Sequence, residues 1–132
     1  MDQEAMKQHG AFSWNELMTS DVAGAKAFYS ELFGWDMRDE PMPEGSYTML
    51  KAGNRDVGGM MAIPAEEAGM PSAWGAYVTV DNVDQQITRA EQLGGKLILA
   101  ARDIPDVGRF AVISDPQGAI LTMITYSENC QG

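Results

Sequence analysis

The sequence predicts an α+β domain built from two tandem βαβββ modules, their sheets side by side and their helices outside. Two observations carry this. The first is an internal repeat at an offset of 60: Trp14, Thr19, Asp21 and Gly34 recur as Trp74, Thr79, Asp81 and Gly94. The same offset pairs Gly58 with Gly118, each just before an apolar strand. The second is an order of patterns, within each module, that runs alternating stretch, helical stretch, then three short strands with turn residues between them. A module of about 60 residues is marginal alone, so the two are expected to share a core within 132 residues.

Phe12 to Thr19 alternates and is rich in aromatic and branched residues, the pattern of a strand. Asp21 is a good N-cap for a helix whose apolar residues are Val22, Ala25, Phe28, Tyr29, Leu32 and Phe33, with Gly34 closing it. Trp35 to Arg38 starts a short strand, stopped by the turn residues from Pro41 to Gly45. Tyr47 to Ala52 and Val57 to Ile63 then form a hairpin around Gly53 to Asp56. Pro64 to Ala73, with two prolines and Glu66-Glu67, is the linker between a module over about residues 12–63 and one over about 74–126. The second module repeats the order. Trp74 to Val80 is a strand, Asp81 a cap, and Val83, Ile87, Ala90 and Leu93 line a helix that stops at Gly94-Gly95. Lys96 to Ala101 is a strand, Arg102 to Val107 a loop, and Arg109 to Ile113 pairs with Ala119 to Tyr126 across Asp115-Pro116-Gln117-Gly118. Met1 to Gly10 is polar, carries no apolar stretch of a secretory signal, and is expected to be a loose tail.

Bulk properties exclude several function classes. No run of 18 apolar residues is present, so no membrane-spanning helix is expected. A formal charge of −10 argues against nucleic acid, which needs a basic footprint, and would steer a cationic ligand. The single cysteine, Cys130, forms no internal disulfide and fits a cytoplasmic location. With His9 as the single histidine, in the polar N-terminal stretch as a solvated residue, no Ser-His-Asp or Cys-His arrangement can be built. Gly58-Gly59 and Gly94-Gly95 are expected to be turn glycines, and no phosphate loop is seen.

The stretch Asp21 followed by Phe28-Tyr29-Ser30-Glu31-Leu32-Phe33-Gly34-Trp35, and the later Asp115-Pro116-Gln117-Gly118, resemble signatures of the vicinal oxygen chelate superfamily. That superfamily includes glyoxalase I, bleomycin-resistance proteins and extradiol dioxygenases, and the resemblance covers about residues 12–126. It implies a cupped mixed sheet, a homodimer, and a divalent metal held by His, Gln or Glu from four strands. The family's ligand positions correspond here to Trp14, Ala62, Trp74 or the adjoining Gly75, and Thr122. None offers the imidazole, thiolate or carboxylate such a metal wants, so no metal and no other cofactor is expected.

With Trp14 facing the cup, alternation adds Glu16 and Met18. The same reasoning adds Met60 and Ala62, then Trp74, Ala76 and Val78, and finally Ile120, Thr122 and Ile124. The expected ligand-binding set is Trp14, Glu16, Met60, Ala62, Trp74 and Thr122: aromatic and apolar, with one carboxylate. Glu16, desolvated there, would have a raised pKa unless paired with Arg38 or Arg109, and is the candidate general base. Three functions fit these residues. One is a metal-free small-molecule-binding protein, with a ligand that is aromatic or cationic. Another is a lyase, isomerase or dioxygenase-type enzyme. The third is a structural module whose cup is packed shut by its tryptophans.

Overall fold

The computed structural model describes residues 6–42, 45–65, 69–105 and 107–127. Cys130, the Glu66-Glu67 pair of the linker, and Pro43-Glu44 of the first turn lie outside them. The order of elements is β1 (Phe12–Thr19), α1 (Val22–Phe33), β2 (Asp36–Met42), β3 (Gly45–Ala52), β4 (Arg55–Ala62), β5 (Ala73–Thr79), α2 (Val83–Gln92), β6 (Lys96–Ile104), β7 (Gly108–Ser114) and β8 (Ile120–Tyr126). This is the twofold βαβββ order of an α+β fold. Two compact units emerge, one of Trp14–Gly75 and one of Met1–Ser13 with Ala76–Gly132.

In the first unit the strands run in the order β2-β3-β4-β1, with β1 parallel to β4 and the other pairs antiparallel. Asp21 caps α1 as expected, its carboxylate accepting from the Gly24 N–H at 2.9 Å, and Gly34 ends the helix in the left-handed region. The core is Leu17, Leu50 and Met60, covered by Val22, Ala25 and Tyr29 of α1 and by Trp35, Met37 and Val57. Beside it, Asp39 accepts from Lys26 Nζ at 2.7 Å and from Thr48 Oγ1 at 2.6 Å. These two bonds, the Lys26 bond foremost, hold its carboxyl below the usual aspartate range.

The second unit repeats the plan as β5-β8-β7-β6, with β5 parallel to β8. Its core is Val80, Val83, Ala111 and Met123, with Ile87, Ala101 and Ile113 packed against it. Arg109 bridges strand and helix, donating to both Asp84 oxygens at 3.0 and 3.1 Å and to Asp103 at 3.2 Å. These acidic partners, Asp84 foremost, push the Arg109 guanidinium above its usual value.

Three expectations are corrected here. The cap of α2 is Asn82, not Asp81: Asn82 Oδ1 accepts from Gln85 N at 3.1 Å. The structural repeat at the first strand and helix start therefore runs at an offset of 61, Asp21 with Asn82 and Val22 with Val83. Met6 to Gly10 is not a loose tail. Gly10 N donates to Thr79 O at 2.7 Å, Thr79 N donates to Ala11 O at 2.8 Å, and Thr79 Oγ1 donates to Met6 O. His9 is exposed, as expected, and its Nδ1 accepts the Asp81 backbone N–H at 2.9 Å. Finally, Gly58 and Gly59 are not turn glycines but lie inside β4. Among the described residues no helix is long and apolar enough to cross a membrane.

Candidate functional site

The face of the first unit turned away from α1 is fixed by alternation and register. Leu17 packs toward α1, so its neighbours Glu16 and Met18 point the other way, and Trp14 with them. In the parallel β1–β4 pair, Glu16 lies opposite Gly59, Leu17 opposite Met60 and Met18 opposite Met61. On β3, Thr48 faces Met60 and Leu50 sits in the core, which leaves Tyr47 and Met49 on the same side as Glu16.

Glu16 is only 7% exposed, although it is a carboxylate on a strand. Its Oε1 accepts from the Tyr47 O–H at 2.8 Å, and Tyr47 Oη in turn accepts from Trp14 Nε1–H at 2.9 Å. A chain of indole, phenol and carboxylate results. Gly59 makes it possible: a Cβ there would lie 1.8 Å from Tyr47 Oη and 2.1 Å from the ring. The tyrosine thus lies flat across a gap in β4 and reaches the residue that pairs with Gly59. Trp14, Met18, Tyr47, Met49 and Met61 around it are half-buried. The result is a buried, hydrogen-bonded carboxylate beneath a partly open layer of aromatic rings and thioethers. Such a surface suits a flat, polarisable ligand.

Other expected members fall elsewhere. Met60 is fully buried in the core under α1 and points away from Glu16, and Ala62, two residues on, shares its side. Trp74 lies on the α1 side, where its Nε1 donates to Tyr29 Oη at 3.1 Å and its ring meets Tyr29 and Trp35 edge-on at 5.4 and 6.0 Å. Val78 is opposite Met123, a core residue under α2, so Val78 and Ala76 face that helix. One cause explains Trp74, Ala76 and Val78: the first strand of the second module is displaced by one residue from the gapless repeat, and one residue reverses every side chain. In the second unit Thr122 does face away from α2. It is buried, opposite Tyr77 and adjacent to core residue Met123. The two arginines considered for Glu16 are engaged by other carboxylates, Arg38 by Glu40 and Asp56 and Arg109 by Asp84 and Asp103. Tyr47 was missed because nothing in its neighbourhood marks it. The adjacent glycines inside an apolar strand were the available signal of a close approach.

The family's metal positions do not fit a metal. The Trp14 and Trp74 indoles each donate their N–H to a tyrosine and have no lone pair to offer, while Ala62 carries a methyl and Thr122 a hydroxyl. Among the described residues no group of three or more His, Cys, Asp or Glu is placed to hold a metal ion.

Comparison with known proteins gives the family. The profile of the Glyoxalase/Bleomycin resistance protein/Dioxygenase superfamily matches residues 11–123. CFP32 of Mycobacterium bovis, provisionally named a glyoxylase, is 41% identical over 120 residues, which is 90% of this chain and 45% of that protein. The anthracycline biosynthesis protein DnrV of Streptomyces peucetius is 32% identical over 123 residues, 83% of this chain and 45% of that protein. The chain therefore spans less than half the length of these relatives. Among solved structures, methylmalonyl-CoA epimerase from Mycobacterium tuberculosis superposes with a TM-score of 0.61 at 15% identity, covering 96% of this chain and 93% of that one. At that identity the likeness is one of fold.

Proposed function

The chain belongs to the Glyoxalase/Bleomycin resistance protein/Dioxygenase superfamily, and from that premise we propose that it is a metal-free small-molecule-binding protein. Its ligand lies on the sheet face opposite α1, against Trp14, Met18, Tyr47, Met49 and Met61, with Glu16 beneath. The observation that carries this reading is the contrast in burial on one face. Glu16 is almost wholly buried while the apolar side chains around it remain half-open to water. A structural module packed shut would bury Trp14 and the methionines as well. The metal-free character rests on the donor chemistry of the four family positions. The charge of −10 favours a ligand with a positive group by steering it toward the protein.

Titration with a panel of planar aromatic compounds, followed by tryptophan fluorescence, tests the proposal. Trp35 and Trp74 also emit, so the decisive comparison is with Trp14→Phe. Quenching that disappears in this variant supports the site. Quenching that persists unchanged, or is absent across the panel, sinks it.

A second reading is favoured by the same buried carboxylate: an isomerase or lyase in which Glu16 is the general base. CFP32's provisional glyoxylase name is consistent with an enzyme. Glu16→Gln separates the two. An isosteric amide that keeps binding but abolishes turnover assigns catalysis, whereas unchanged turnover removes Glu16 as the base.

A further inference from the structure

Methionine falls into two environments around the site. Met60 and Met123 are buried in the two cores, at 0% and 5% exposure. Met18, Met49 and Met61 are only half-buried, and all three lie on the sheet face that carries Glu16. The register gathers them at one place. Met49 is the partner of Gly59, the residue over which the Tyr47 hydroxyl lies. Met61 stands two residues beyond Gly59 on β4, and Met18 stands opposite it on β1, two residues beyond Glu16. Three thioethers on three neighbouring strands thus surround the contact between the Tyr47 hydroxyl and the Glu16 carboxylate. Leucine would supply a similar volume of apolar side chain, so what methionine adds here is the chemistry of its sulfur.

We propose that Met18, Met49 and Met61 form a reversible oxidation site, through which peroxide switches the hydrogen-bonded chain of Trp14, Tyr47 and Glu16. In the step, a thioether sulfur attacks one oxygen of hydrogen peroxide with its lone pair. The O–O bond breaks, that oxygen stays on sulfur as the sulfoxide, and the other leaves as water with both protons. Sulfur loses two electrons and the peroxide gains them. The sulfoxide oxygen accepts hydrogen bonds and donates none. Around it stand the Tyr47 O–H and the Trp14 N–H, given to Glu16 and to Tyr47 at 2.8 and 2.9 Å. Arg38, the β2 partner of Met49, is held by Glu40 and Asp56. A new acceptor among these groups draws a donor out of the chain, and the larger, polar side chain displaces the tyrosine from Gly59. Reduction by thiols, catalysed by methionine sulfoxide reductases, restores the thioether and releases the oxygen as water. The same change makes an apolar contact surface polar. On the ligand reading proposed above, on which this part rests, it closes the face to a flat ligand.

Graded hydrogen peroxide tests the site without any ligand, read by peptide mapping and by the indole N–H NMR signal of Trp14, assigned with Trp14→Phe. Sulfoxide is expected at Met18, Met49 and Met61 before Met60 and Met123, and the Trp14 signal should move in step with it. Methionine sulfoxide reductases of both stereochemical classes, with dithiothreitol, should return the signal to its starting place. Met18→Leu, Met49→Leu and Met61→Leu combined should abolish the response to peroxide, whereas Met70→Leu, at an exposed position, should keep it. Each single substitution should reduce the response in part, which decides the matter if the combined variant does not fold. Three sulfoxides with an unmoved Trp14 signal overturn the proposal. So does a signal that still moves in the combined variant, or one that the reductases fail to restore. Proflavine, a planar aromatic cation, probes the link to the ligand. Oxidation should weaken its binding by about tenfold, as one polar group left unpaired in a contact does. Equal binding before and after oxidation overturns the switch. No binding even before oxidation counts against the ligand reading alone, and the indole signal then decides the oxidation site.

Discussion

An alanine at position 59 would bring its methyl carbon to 1.8 Å from Tyr47 Oη, so Gly59→Ala must push the tyrosine off β4 and away from Glu16. Overpacking of this kind costs about 1–3 kcal/mol, and urea unfolding should show it. Tyr47→Phe keeps the ring and removes the hydroxyl that accepts from Trp14 and donates to Glu16. About 1–2 kcal/mol is expected, and much less once Glu16 is already glutamine, because the coupling between the two is what the double-mutant cycle measures. Asp39 gives the pH dependence. Its folded pKa is lowered from the ordinary 3.8, chiefly by Lys26 and then by Thr48. Its contribution is therefore complete above 3.8 and is lost as the pH falls below 3.8 through the lowered value. Acid titration should find Asp39→Asn less stable than the parent at neutral pH, with the difference closing below pH 3.8; a difference that widens in acid contradicts the assignment. At this scale the sequence was legible only in part. Alternation placed Trp14, Glu16 and Met18 on one face. The same alternation assigns Met60 and Ala62 to it, but the β4 register with β1, a long-range pairing, sets them opposite Leu17 and Thr19 on the other face.

The caps of α1 and α2 show what a repeat can and cannot reveal. Asp21 was readable because a capping side chain, a helical apolar stripe and a closing glycine agree. In the second module Asp81 and Asn82 are adjacent and both are good caps, so local chemistry leaves a choice of one residue. The core settles it: Val83, the first residue of α2, is itself buried in the core, and the helix begins there. Asn82→Ala should cost about 1 kcal/mol, whereas Asp81→Ala, with its side chain in water, should stay within about 0.5 kcal/mol. Thermal melts of the two variants distinguish the assignments, and the reverse order would restore the gapless repeat. The same one-residue displacement sends Trp74 to the aromatic cluster beside α1 rather than to a place equivalent to Trp14.

At the scale of the whole molecule, the order of elements and the family were written in the two repeated motifs, which are scaffold: a capped helix face and a turn. The N-terminal stretch was not, because its hydrogen bonds are made by backbone groups and by Thr79, more than 60 residues away. Deleting residues 1–10 should lower the melting temperature by about 5 °C, where a tail free in water would leave it unchanged. The central claim, a ligand on the sheet face over Glu16, is tested most directly by methionine methyl NMR on selectively labelled protein during a screen of planar aromatic amines and their neutral and anionic counterparts. Met18, Met49 and Met61 line that face while Met60 and Met123 sit in the cores. Binding should shift the first three methyl signals and leave the last two in place. Shifts confined to Met60 or Met123, or none with any compound, would contradict it.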